Sequence, residues 1–63
     1  MGYTIKIRGN SYECNSPFEI EGVLSTFGIS ENDKETILEW VENAEIGEVY
    51  EDGFEGICII RNF

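Results

Sequence analysis

The chain has 63 residues with thirteen acids, four bases and no histidine, a net charge of −9. A length like this makes one domain, 1–63, whose folding removes only about 60% of the unfolded chain's surface from water, so an enclosed active-site cavity is not expected. The charge argues against nucleic acid or anionic membrane as a direct partner, since phosphate binding needs Lys and Arg to release counterions; the 41% hydrophobic content argues against a disordered acidic tail.

Residues 3–8, YTIKIR, alternate strictly and predict a strand with Tyr3, Ile5 and Ile7 on one face. Gly9-Asn10 then reads as a two-residue hairpin loop, pairing Arg8 with Ser11, Ile7 with Tyr12, Lys6 with Glu13 and Ile5 with Cys14. Ser16-Pro17 opens a helix, with Ser16 as cap and Glu19 placed for a capping box. Ile20, Val23, Leu24 and Phe27 recur at helical spacing, and Gly28 is a stop signal. Gly22 weakens this helix by roughly 1 kcal/mol relative to Ala, a cost expected to permit close approach of another backbone.

Ser30 caps a second helix, with Glu31 and Asp33 in its first turn, where the helix dipole favours acids. Ile37, Trp40, Val41 and Ala44 form its apolar face, and Glu31, Glu35, Glu39 and Glu42 the opposite stripe. Like charges four residues apart oppose a helix by a few tenths of a kcal/mol per pair, so helix stability alone does not account for the stripe. Residues 46–51 and 54–62 then predict a second hairpin around Asp52-Gly53, pairing Glu51 with Phe54, Tyr50 with Glu55 and Val49 with Gly56. Its last strand holds Ile57-Cys58-Ile59-Ile60, apolar on both faces, as in a central strand or one buried by a partner. The expected fold is α+β in the order ββααββ. Its mainly antiparallel four-stranded sheet has the terminal strands in the middle and both helices on one face.

Catalysis has little footing. There is no histidine, and the many carboxylates have no evident pocket to shift a pKa. Metal ligation is equally unsupported, because SENDKE and YEDGFEG depart from the EF-hand spacing and the two cysteines lie far apart in sequence. The expectation is therefore no enzyme, no metal and no cofactor. Cys14 and Cys58 do not make a disulfide framework, and no signal peptide or membrane span is evident, so a reduced, cytoplasmic setting is expected. Whether the two thiols meet is left open.

The segment ENDKETILEWVENAEIGEVYEDGFE, residues 31–55, holds ten acids against the single base Lys34. Carboxylates about 5–6 Å apart along a helix face match the scale of neighbouring phosphates, and such a strip suits a basic protein groove. A solvated acidic face is the plainer reading of the same residues. Trp40 fits the core by spacing, while Tyr50 and Phe54 sit among acids as binding anchors do. The apolar last strand also suggests a homodimer through Ile57 and Ile59.

By length, αβ pattern and this acidic segment, the chain resembles the small inhibitors made by bacteriophages and other mobile elements, the anti-CRISPR proteins and anti-restriction DNA mimics. The resemblance implies binding to a host CRISPR effector complex or restriction enzyme at its nucleic-acid site. The contact candidates are Glu31, Glu35, Glu39, Glu42, Glu45, Glu48, Glu51, Asp52, Glu55 and Tyr50. The alternative is an immunity or antitoxin-like protein that neutralises a basic toxin or nuclease, or a small structural homodimer.

Overall fold

The computed structural model describes residues 2–63. Its elements are β1 (Tyr3–Ile7), β2 (Asn10–Cys14), α1 (Pro17–Thr26), α2 (Glu31–Asn43), β3 (Val49–Asp52) and β4 (Ile57–Arg61). The four strands form one antiparallel sheet in the order β2-β1-β4-β3, so the terminal strands are central, as their apolar content predicts. The β1–β4 ladder runs on to the C-terminus, where the Gly2 N–H donates to the Phe63 carbonyl at 2.7 Å.

One core joins the sheet to the helices. Tyr3, Ile5, Ile7, Ile57 and Ile59 point from the central strands into a cluster with Ile20 and Leu24 of α1 and Ile37 and Val41 of α2. Burying each large aliphatic side chain contributes about 1.5–3 kcal/mol relative to leaving it in water. The helices therefore cover one face of the sheet. The other face carries Thr4, Lys6, Cys58 and Ile60 of the central strands, with Val49 and Glu51 of β3, by the alternation of the paired residues.

This placement corrects the expected dimer surface. Ile57 is 3% exposed and Ile59 0%, both against the helices, so neither can meet a second copy. The half-buried outer residues of that strand are Cys58 and Ile60. The cysteines are also settled. Cys14 points into the core from β2, Cys58 lies on the outer face of β4, and β1 runs between them, so both thiols are free.

Both helix starts follow from their caps. Ser16 Oγ accepts the Glu19 N–H at 3.4 Å, and Ser30 Oγ accepts the Asp33 N–H at 3.3 Å. The Glu19 carboxylate accepts from Asn15 N–H at 2.9 Å, one residue earlier than a standard box. At the end of α1, Gly28 adopts φ 73°, the Gly28 N–H donates to the Ser25 carbonyl and the Ile29 N–H to the Leu24 carbonyl, each at 3.0 Å. That is a Schellman stop, with buried Ile29 packed beside buried Leu24. Gly22 has nothing within 4 Å of an added Cβ, so no backbone approaches it and the expected packing reason is absent.

Both hairpin registers differ from expectation. In the first, Ile7 pairs with Asn10, Ile5 with Tyr12 and Thr4 with Glu13. The loop is Arg8-Gly9, with φ 47° and 84°, rather than Gly9-Asn10. The shift is two residues, so every side chain keeps its face. Arg8 holds its left-handed conformation because its N–H donates to the Gly56 carbonyl at 3.0 Å, a contact across the sheet that no local pattern reveals. In the second hairpin Tyr50 pairs with Ile59 and Asp52 with Ile57, leaving a four-residue loop of Gly53, Phe54, Glu55 and Gly56. Asp52 Oδ1 accepts the N–H groups of Phe54 at 3.0 Å and Glu55 at 3.1 Å, and Gly56 supplies the positive φ of 71°. Asp52 therefore caps the loop instead of standing inside a two-residue turn.

Candidate protein-binding surface

The outward face of α2 is the most regular charged feature. Glu31, Glu35, Glu39 and Glu42 are all exposed, because Ile37 and Val41 turn the opposite face into the core. Lys34 neutralises only the Glu31 end of this face. It is only 8% exposed, its stem is buried, and its ammonium donates to Ser25 Oγ at 3.0 Å and pairs with Glu31 at 3.0 Å. The one lysine of α2 thus ties the two helices together and engages Glu31. Glu35, Glu39 and Glu42 have no ion-pair partner among the described residues.

The ten sequence candidates do not form one surface. Glu51 lies on the outer face of the sheet, away from the helix layer, because it alternates with inward Tyr50. Glu48 turns back on the chain, its Oε1 accepting the Glu45 N–H at 2.7 Å. Asp52 is held by its loop. Glu55 meets Arg8 at 3.4 Å and its side chain is 19% exposed. Tyr50 is half-buried and stacks on Trp40, ring centroids 5.4 Å apart at 47°, so it braces the core rather than standing free at the turn. Burial, then Asp52 and Asp33, push its phenol pKa up. Phe54 is the open aromatic of this hairpin, at 97% exposure.

The structure adds residues that the charge pattern passes over. A groove of about 360 Å³ lies between the helices, lined by Pro17, Phe18 and Glu21 of α1 and Leu38 and Glu42 of α2. Phe18 is 80% exposed there. A signal was present in the sequence, since Phe18 and Leu38 both fall off the core stripes of their helices. Their meeting depends on how α1 and α2 pack.

Other chemistry finds no assembled site among the described residues. No group of three or more Cys, Asp or Glu side chains converges to hold a metal ion. No described helix is long and apolar enough to cross a membrane. Compared with family models, curated proteins and solved structures, the chain matches none.

Proposed function

We propose that this is a non-enzymatic acidic binding protein of the phage-encoded anti-CRISPR type, acting in the host cytoplasm. It sets the α2 carboxylates into the nucleic-acid groove of a CRISPR effector complex and so blocks DNA binding. The supporting observation is that Glu35, Glu39 and Glu42 stand exposed and unneutralised on adjoining turns while three of the four cations are used within the fold. Arg8 holds the Phe27 carbonyl and Glu55, Lys34 holds Ser25 and Glu31, and Arg61 donates to the Ala44 carbonyl. A face selected only for helix stability would interleave lysines with these acids.

The test is target-DNA capture by a panel of purified, guide-loaded CRISPR effectors, measured by gel shift at low and high salt. The wild-type protein is expected to prevent capture by one of them, less effectively at high salt. The E35K/E39K/E42K protein is expected to lose the effect while remaining folded. If every effector captures DNA normally, or if the triple reversal inhibits as well as wild type, the reading fails.

A further inference from the structure

Phe18 occupies the first turn of α1 with most of its ring in water, and folding gives no account of it. It does not stand alone. Pro17 and half-buried Leu38 continue the apolar floor across to α2, and the polar rim is acidic on both helices, Glu21 on one side and Glu42 on the other. The α2 stripe leads out of the groove from Glu42 towards Glu39 and Glu35.

We propose that this groove seats a basic amphipathic helix of a partner protein, one apolar side chain entering between Phe18 and Leu38 while flanking lysines or arginines pair with Glu21 and Glu42. The charge of the rim selects the partner's sign, since an acidic segment or an anionic lipid would meet like charge on both walls. The floor selects an apolar anchor, which charge pairing alone does not require. Beyond the first turn of α1 the groove walls are helix whose backbone groups are paired internally, so they offer an incoming chain chiefly side chains. An extended strand would find no sheet edge there to pair its N–H and C=O groups and would have to keep them on water, whereas a helix brings its own satisfied backbone. A volume of about 360 Å³, open to solvent, is at the small end for an enclosed ligand site and fits a few side chains of such a helix. The proposal rests on the reading of α2 as the face for a basic partner and adds the shape and anchor of the segment that binds.

The experiment titrates the ¹⁵N-labelled protein with two designed helical peptides, identical in their lysines, one with a single central leucine and the other with alanine in its place. Amide shifts are expected to centre on residues 17–21 and 38–42, with the leucine peptide binding about tenfold more tightly, the scale of one aliphatic anchor. Phe18→Ser, a surface change that leaves the core intact, is expected to remove that difference. E21Q/E42Q is expected to weaken both peptides. If binding ignores the leucine and Phe18 but is lost on neutralising Glu35, Glu39 and Glu42, the groove is overturned and the acidic-face reading stands. If binding is insensitive to Phe18 and to all four carboxylates, Glu21, Glu35, Glu39 and Glu42, both are overturned. Shifts centred on residues 53–56 or on the outer sheet face also overturn the groove.

Discussion

The Arg8 guanidinium donates to the Phe27 carbonyl at 3.0 Å and places a positive charge at the C-terminal end of α1, whose last turn has no base of its own. The same side chain reaches Glu55 at 3.4 Å, and the Arg8 N–H holds the Gly56 carbonyl. One residue therefore joins the first turn, the end of a helix and the second hairpin loop. Arg8→Ala is expected to lower unfolding free energy by about 1–2 kcal/mol, from a charge-assisted hydrogen bond and the helix dipole, discounted for a side chain that is 48% exposed. Arg8→Lys is expected to recover only part, because an ammonium cannot fork to both acceptors. Urea denaturation checks both, and an unchanged midpoint for Arg8→Ala would contradict the bracing role.

Gly22 lies inside α1, exposed and with open space where a Cβ would stand. Gly22→Ala is expected to stabilise the protein by about 0.5–1 kcal/mol, because Ala loses less backbone entropy on entering a helix. A rise in the urea midpoint at constant slope is the readout. A fall would mean that the position is occupied by something in solution.

The two thiols should differ in reactivity. Cys14 is 3% exposed, and burial, with Glu19 and Glu13 adding repulsion, pushes its pKa up and so disfavours the thiolate. Cys58 is half-buried on the open sheet face. Iodoacetamide under native conditions is expected to label Cys58 first and Cys14 only on unfolding, as read by peptide mass spectrometry. An air-oxidised native monomer carrying a Cys14–Cys58 disulfide would refute the placement of the thiols on opposite faces.

Stability should fall at alkaline pH through Tyr50. Its folded pKa is raised above the ordinary value of 10.0, chiefly by burial and then by Asp52 and Asp33. Above that ordinary value the unfolded chain releases the proton while the folded state keeps it. The unfolded state then binds fewer protons, and unfolding free energy decreases as pH rises. Tyr50 stabilisation is thus complete below about pH 10 and is lost as pH climbs through the raised folded value. Tyr50→Phe keeps the stack on Trp40 and is expected to make the alkaline fall shallower. An identical slope in both proteins would remove Tyr50 as its source.

Element type was legible in the sequence because its signals are local. Strict alternation marked β1, Ser16-Pro17 and Ser30 marked the helix starts, and Gly28 marked a stop whose backbone the structure shows in detail. Even the central place of β1 and β4 could be read, since the strands of highest apolar content avoid an edge. Register was not legible, because in the first hairpin the deciding contact joins residues far apart in the chain, and in the second a short-range side-chain cap competes with the two-residue turn signal. Arg8 takes a left-handed turn position through Gly56, and Asp52 spends its carboxylate on the loop that a short Asp-Gly turn would have replaced. The same non-local packing divided the acids. Period alone put Glu35, Glu39 and Glu42 on one helix face, but only the sheet's alternation sent Glu51 to the far side. Only the contact between α1 and α2 buried Lys34 and brought Phe18 beside Leu38. Local propensity and spacing determined the elements and their apolar faces. Tertiary packing decided which charges remain free and which apolar side chains are left without cover.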